Sequence, residues 1–413
     1  MMRCITKFIA FDVPLLLFCF VRRFFFGLLS LITVGFGLGC VSERAPVRLP
    51  SPPQSAEERT LRDLRSSLCP DPHLHIFNIA VSRTHAFTTL EGDVDSPTTK
   101  AAVIKAFSSA KPPVKDLIRV LPASDLGEKT AGIINLSVAN GREAPDHKAE
   151  MGTQWFMGET VKIWKALPFW LLTQGADGYL AWVERGSVVS CTSKDAENWE
   201  QQKLTIVTGY EAILRAKADP LSDPVSDLVM GDRARVIDRS EEWIQLELPD
   251  GRRGFLEKSA AADWLEWKAT RKPSSTNIER TARLFLGRPY LWGGCSPKGM
   301  DCSGFTRQVF SLNGILLPRN AAQQANCGIS VDVRTNFDQL RKGDLLFFGK
   351  QRGRRSKPEV THVAIYLGDQ MFIQSSQRVR VSSLDPRNPL FDERHARQLL
   401  SARRVLPEGN DKN

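Results

Sequence analysis

Two neighbouring stretches decide the fold: Pro289-Tyr290-Leu291-Trp292-Gly293-Gly294 and Met300-Asp301-Cys302-Ser303-Gly304-Phe305. After Cys302, the residues Phe305, Val309 and Leu312 recur at helical spacing, and Gly314 closes the run. Cys302 therefore starts a helix. The free amides and dipole at a helix start favour the thiolate, the reactive form of cysteine. The same amides are placed to hold an oxyanion. Upstream, Thr276-Asn277-Ile278-Glu279 fits a capping box. Ile278, Ala282 and Phe285 then share a helical face, which Gly287-Arg288-Pro289 ends.

A thiolate needs a base, and the chain has six histidines. His73, His75 and His85 lie far upstream, His147 lies midway, and His395 is near the C-terminal end. His362 differs: it begins the apolar strand pattern Thr361-His362-Val363-Ala364-Ile365-Tyr366-Leu367-Gly368. Cysteine–histidine pairs are typically distant in sequence and joined by folding. Alone, a cysteine before a helix is more often a small core residue, so the flanks matter.

Those flanks occur in a fixed order: Tyr290–Gly294, Asp301–Phe305, Leu340-Arg341-Lys342-Gly343-Asp344-Leu345-Leu346-Phe347-Phe348, then Thr361–Gly368. Together they resemble the NlpC family of papain-like cysteine peptidases, which hydrolyse bacterial cell-wall peptides, commonly between γ-D-glutamate and a diamino acid. The resemblance implies Cys302 as nucleophile, His362 as general base, and a thiolate–imidazolium pair that attacks the γ-glutamyl carbonyl. It places the third polar residue on the following strand, Met371-Phe372-Ile373-Gln374-Ser375-Ser376, at Gln374. The family often has histidine there. A glutamine carbonyl can still accept the imidazole N–H and orient the ring. Asp301, Tyr290 and Ser303 match pocket positions. Arg319-Asn320-Ala321 departs from the usual Arg-Asp-Ser. Cys295 reads as a small turn residue, with a redox partnership to Cys302 as the lesser reading. No metal or cofactor is implied.

Working outward, residues 132–264 break into short apolar segments with turn residues every few positions, which favours β-barrels. An approximate repeat is visible. Gly158-Glu159, Trp170 and Asp177-Gly178 in the first copy match Gly231-Asp232, Trp243 and Asp250-Gly251 in the second. Asp-Gly between strands is a hairpin signal. Residues 132–196 and 203–264 resemble bacterial Src-homology-3-like barrels, and such barrels precede one branch of the family. In that branch an acidic residue and a tyrosine from the first barrel join the aspartate before the nucleophile to bind a free N-terminal L-Ala amine. The expected residues are Glu150 and Tyr179. Residues 59–131 read strand–strand–helix–strand, a small α/β module that weakly resembles BON-type modules. With residues 270–405 as the papain-like domain, the whole is α+β.

At the N-terminus, Arg22-Arg23 precede an apolar run from Phe24 to Leu38, then Gly39-Cys40. That pattern reads as an export signal, too short for a comfortable span. Gly37-Leu38-Gly39-Cys40 resembles a lipoprotein box, implying lipidation at Cys40 and a periplasm-facing, membrane-anchored protein. An uncleaved anchor or an ordinary signal is the other reading. Prolines 46, 50, 52 and 53 mark residues 41–58 as a tether. The eight cysteines form no CxxC pair, so neither a disulfide framework nor a zinc site is suggested. The net charge of +10 is spread out, and the densest run, Arg352, Arg354, Arg355 and Lys357, has no interleaved aromatics. Nucleic-acid binding would want a stacking platform beside such a run, so it reads as a solvated loop, with a patch for an anionic polymer or membrane surface as the lesser reading. Competing readings are a hydrolase of intact peptidoglycan, an amidase or acyltransferase on the same scaffold, and a catalytically weak wall-binding protein.

Overall fold

The computed structural model describes residues 55–333, 336–351, 353 and 358–407, which belong to one compact unit. The apolar N-terminal run, Cys40, most of the Pro-rich tether and the Arg352–Lys357 basic residues lie outside the described residues.

Helix α1 (Ala56–Leu68) comes first. Ser55 and Glu58 cap it reciprocally, at 3.0 and 2.9 Å. The tether expected to reach residue 58 thus gives way to a helix at Ser55. Next come β1 (Phe77–Arg83), β2 (Thr88–Val94), α2 (Pro97–Ala106) and β3 (Val114–Val120). They form one sheet in the order β1-β2-β3, with β2 and β3 parallel through the α2 crossover. Leu61 of α1 packs with Leu90, Val94, Val103 and Ile118, so α1 completes the core of this module.

Two seven-stranded antiparallel sheets follow. The first comprises β4 (Ala131–Ile134), β5 (Val138–Arg142), β6 (Met151–Phe156), β7 (Thr160–Ala166), β8 (Trp170–Gln174), β9 (Leu180–Glu184) and β10 (Val188–Cys191). After α3 (Ser193–Glu200) comes the second: β11 (Leu204–Val207), β12 (Glu211–Arg215), β13 (Pro224–Val229), β14 (Arg233–Arg239), β15 (Trp243–Glu247), β16 (Arg253–Glu257) and β17 (Ala261–Asp263). The orders are β10-β4-β7-β8-β9-β5-β6 and, read from its other end, β17-β11-β14-β15-β16-β12-β13. Position for position these are the same. The repeat seen in sequence is therefore a repeat of topology. Its turn acids even do the same job. Glu159 accepts the Phe156 N–H (3.2 Å), and Asp232 accepts the Val229 N–H (2.7 Å). The expected boundary at residue 196 falls inside α3.

Helix α4 (Trp264–Thr270) leads to the C-terminal domain. It contains α5 (Ser275–Leu284), the short pair β18 (Cys295–Ser296) and β19 (Gly299–Met300), α6 (Cys302–Ser311), α7 (Ala321–Gln324), β20 (Ile329–Val331), β21 (Leu345–Lys350), β22 (Glu359–Gly368), β23 (Met371–Ser376), β24 (Arg378–Ser383), α8 (Glu393–Gln398) and β25 (Leu399–Arg404). The cap of α5 is Ser274, which accepts the Asn277 N–H, rather than the Thr276–Glu279 box. Glu279 instead pairs with Arg283 and Lys342.

Six strands form an antiparallel sheet in the order β20-β25-β21-β22-β23-β24. Alternation gives it two buried faces. Leu345, Phe347, Val363, Ile365 and Ile373 meet Phe305, Val309 and Phe310 of α6. Leu346, Phe348, Ala364, Tyr366 and Phe372 form the other face, with Ala396 of α8 against it. Each large α6 side chain buried here contributes about 1.5–3 kcal/mol, enough to fix where that helix begins.

The first sheet is tied to that beginning. Gln154 accepts the N–H groups of Cys295 and Ser296, at 2.9 and 3.3 Å. Asp177 pairs with Arg307 of α6 at 2.9 Å, both side chains fully or almost fully buried. Gly293 has φ of +75°, and a Cβ there would lie 2.0 Å from the Met151 carbonyl oxygen. Only glycine allows strand β6 to approach the loop before Cys302 so closely.

Candidate active site

Asp301 is the N-cap of α6 and accepts the Gly304 N–H at 2.7 Å, which leaves Cys302 as the first helical residue. The N–H groups of Val363 and Ser303 lie near the Cys302 sulfur and favour its thiolate, and Val363 directly follows His362. Cys302 is 7% exposed. Burial, followed by the Asp301 charge, pushes its thiol up to about 12, against the pull of those amides and Arg319.

His362 sits on β22. Ile365 pairs with Ile373 and Tyr366 with Phe372, so Gln374 lies opposite Ala364, diagonal to His362 on the same face. His362 Nε2 and Gln374 Oε1 are 2.7 Å apart. The amide orientation is fixed from behind. Gln374 Nε2 donates to Ser382 Oγ (2.9 Å) and to the Asp392 carboxylate (3.0 Å). A carboxylate only accepts, so the amide nitrogen faces Asp392 and the oxygen faces the imidazole. The imidazole proton is then on Nε2, and Nδ1 is free to take a proton. Burial, and next the neighbouring His395, lower His362 to about 4.

Burial therefore favours the neutral form of both groups in the substrate-free site, whereas the resemblance implies a thiolate–imidazolium pair. The desolvation cost of two buried charges is the reason. No hydrogen bond joins thiol to imidazole among the described residues. Catalytic hydrogen bonds commonly tighten only once substrate is present.

Sequence reasoning passed over two members of this network. His395 reads as a tail residue, yet it is buried and its ring lies tilted against that of His362 (centroids 4.5 Å, 36°). Its Nδ1 lies 2.8 Å from Asp392, the N-cap of α8, which also takes Arg380 at 3.0 Å. No local motif signals this, because it depends on α8 folding back over the sheet.

Beside Cys302 opens a cavity of about 500 Å³ whose lining includes Asp301, Ser303, Tyr290, Glu143, Glu150 and Tyr179. Asp301 is saturated. It accepts Arg319 through both oxygens (2.6 and 3.1 Å), Ser303 Oγ (3.2 Å), and the Gly293 (3.0 Å) and Gly304 N–H groups. Arg319 thus serves as the buried counter-charge; Asn320 caps α7 with Gln323. The carboxylate partner of Tyr179 is Glu143, not Glu150. The Tyr179 hydroxyl donates to Glu143 at 3.1 Å, whereas Glu150 accepts the Trp292 indole N–H at 2.6 Å. The two glutamates flank the same β5–β6 turn, and its register puts Glu143 beside the tyrosine. Burial raises the Tyr179 phenol, and burial with Cys302 and Asp301 raises that of Tyr290, so both stay protonated donors.

Cys295 is fully buried and free, its sulfur 3.9 Å from the Gly293 carbonyl and from Thr153 Oγ1; it lies in β18, paired with Met300, rather than in a turn. Among the described residues one group has metal-ligand composition: Cys69, His75 and Asp95, with ligand atoms within 4.8 Å of one another. It lines no part of the Cys302 cavity, and its Asp95 already accepts from Ile76 N–H and contacts His75 Nδ1, both at 3.1 Å. No described helix is long and apolar enough to cross a membrane.

A helix-start cysteine, a strand histidine and a polar orienting residue on a packed antiparallel sheet define a cysteine peptidase domain. Residues 287–399 match the NlpC/P60 family model, and the C-terminal domain belongs to that family. The chain is 31% identical over 234 residues to a gamma-D-glutamyl-L-lysine dipeptidyl-peptidase of Bacillus cereus, covering 56% of this chain and 66% of that one. It is 28% identical to dipeptidyl-peptidase 6 of Lysinibacillus sphaericus, covering 63% and 93%. To the Bacillus subtilis gamma-D-glutamyl-L-lysine dipeptidyl-peptidase it is 41% identical over 121 residues, covering 29% and 37%. The chain thus spans just under two thirds of the first relative and about a third of the last. A crystal structure of an NlpC/P60 family protein from Bacillus cereus superposes with a TM-score of 0.58 at 23% identity, covering 67% of this chain and all of that one.

Proposed function

We propose that this protein is a cysteine peptidase that hydrolyses the γ-D-glutamyl–diamino acid bond of peptidoglycan stem peptides bearing a free N-terminal L-Ala. The observation that carries the free-amine requirement is the Glu143–Tyr179 pair in the lining of the Cys302 cavity. Glu143 has one oxygen committed to Tyr179 and accepting capacity left on the other, and a carboxylate suits an ammonium. Relatives named as dipeptidyl-peptidases support the same reading, since releasing a dipeptide presupposes a free amino end.

In the reaction, the Cys302 sulfur bonds to the glutamyl carbonyl carbon as its proton passes to His362 Nδ1. The carbonyl electrons move onto oxygen, held by the unpaired first-turn amide of Cys302 and the Tyr290 phenol. As the C–N bond breaks, His362 returns the proton to the departing amine. Water then attacks the thioester, gives a proton to His362, and the thiol is restored. Gln374 keeps Nδ1 directed at the sulfur throughout.

The test is incubation of wild type and Cys302→Ala with L-Ala-γ-D-Glu-diaminopimelate, free and N-acetylated. Wild type should release L-Ala-γ-D-Glu from the free peptide alone. Equal cleavage by the alanine variant would refute the nucleophile assignment, and equal cleavage of the acetylated peptide would favour the intact-wall reading. The Arg22-Arg23, apolar run and Cys40 pattern supports export and lipid anchoring. Under that reading, Cys40→Ser moves the protein from the membrane fraction to the soluble one.

A further inference from the structure

The module formed by α1, α2 and β1–β3 has no part in the chemistry above, yet its turn between α1 and β1 reaches the cavity. Three anchors hold that turn. The His73 carbonyl accepts the Leu180 N–H of β9 at 2.7 Å. The Leu74 carbonyl accepts Gln174 Nε2 of β8 at 3.2 Å. Asp71 binds both ways: one oxygen accepts the His73 N–H (2.9 Å), and the other accepts Gln323 Nε2 of α7 (2.7 Å). The turn is therefore fastened to the first barrel and to the catalytic domain together.

These anchors deliver one side chain, His73, into the lining of the Cys302 cavity. Its ring lies flat on Tyr179, with centroids 5.0 Å apart and planes 10° from parallel. Its Nδ1 stands 3.6 Å from the Glu143 oxygen that Tyr179 does not use. That separation is too long for a hydrogen bond, so the oxygen keeps room for a donor from substrate. Meanwhile the imidazole covers the aromatic face of Tyr179 on which a larger side chain would otherwise rest.

We propose that the turn carrying His73 is the end wall of the amine subsite, and that His73 sets which N-terminal residue it admits: a small side chain bearing a free ammonium. This rests on the peptidase reading above. The wall is supplied by a module outside the catalytic domain and outside both barrels. The ring closes the space beyond the ammonium, so a bulky first residue cannot be accommodated while Glu143 is engaged.

The experiment compares full-length wild type, His73→Ala and His73→Phe on two tripeptides, L-Ala-γ-D-Glu-L-Lys and L-Leu-γ-D-Glu-L-Lys, with kcat and KM measured separately. In His73→Ala, the Leu-to-Ala ratio of kcat/KM should rise at least about tenfold, which is about 1.4 kcal/mol of lost discrimination. His73→Phe retains a ring on Tyr179 and should keep the wild-type ratio within about threefold. An unchanged ratio in His73→Ala overturns the proposal. So does a His73→Phe ratio that moves as far as the alanine one, because the effect would then come from a loosened module rather than from the wall. A wild-type protein that cleaves neither peptide defeats the peptidase reading and this inference with it, a result distinct from the other two.

Discussion

Replacing Asp392 with asparagine tests the orienting chain without touching substrate or sulfur. Asp392 accepts the Gln374 amide at 3.0 Å and Arg380 at 3.0 Å, and lies 2.8 Å from His395. Asparagine is as good an N-cap as aspartate, so α8 keeps its cap on the His395 N–H. What is lost is the charge that dictates which way the Gln374 amide points. A hydrogen bond to a charged group contributes about 1.5–3 kcal/mol. If that energy is expressed in keeping Nδ1 aimed at the sulfur, kcat falls about 10- to 150-fold. Two effects act in the same direction, because the Asp392 charge also supports the basicity of His362. KM should stay near wild type, since Asp392 does not line the cavity. The assay is steady-state release of dipeptide from the free tripeptide. A kcat within about twofold of wild type, in a variant of unchanged melting temperature, would show that Gln374 holds the ring without help from Asp392.

The low pKa of His362 gives a second prediction. A base that stays neutral down to about 4 keeps kcat/KM level well below pH 6.5, with the acid limb only near 4; a limb near 6.5 contradicts the buried site. The same group makes the fold acid-sensitive. The unfolded chain takes up the proton from about pH 6.5 while the native state resists it until about 4, so stability falls through that window by about 3 kcal/mol, measurable by denaturant titration at each pH. Arg319→Met leaves the buried Asp301 without its counter-charge and should cost about 3–5 kcal/mol in the same titration; a loss under 1 kcal/mol would mean the pair is not needed. Glu143→Gln should raise KM for free tripeptide at least about tenfold with little change in kcat, whereas Glu150→Gln should not; the reverse ranking would restore Glu150 as the amine ligand.

How much of this was legible in the sequence varies with the range of the interaction. The helix start at Cys302 and the strand at His362 follow from local periodicity, whereas Gln374 follows only from the family resemblance, which puts the third polar residue on the next strand. The repeat of strand order was visible because its turns recur at matched positions. Helix α1 was overlooked although Ser55 and Glu58 carry a capping signature, because the neighbouring prolines dominate that stretch. Choosing between Glu143 and Glu150 needs strand register, and a bulge at Gly141–Arg142 shifts it. Asp392 and His395 reach the site only through tertiary packing of α8, which no spacing rule encodes.

The paired sheets have a consequence for how the enzyme can change over generations. One unit, present twice with the same strand order, has taken up two occupations. In the proposed reading the first copy supplies Glu143 and Tyr179, which line the Cys302 cavity, to the amine subsite. The second buttresses the catalytic domain from behind: Met230 accepts Gln308, Glu211 pairs with Arg288, and Tyr210 donates to Leu284. Substitutions at Glu143 and Tyr179 can therefore retune what is cut, provided Gln154 and Asp177 of the same copy keep their hold on Cys295 and Arg307. Damage to the second would be felt as a loosened catalytic domain, so selection meets a tunable cavity wall in one sheet and only a mount in the other.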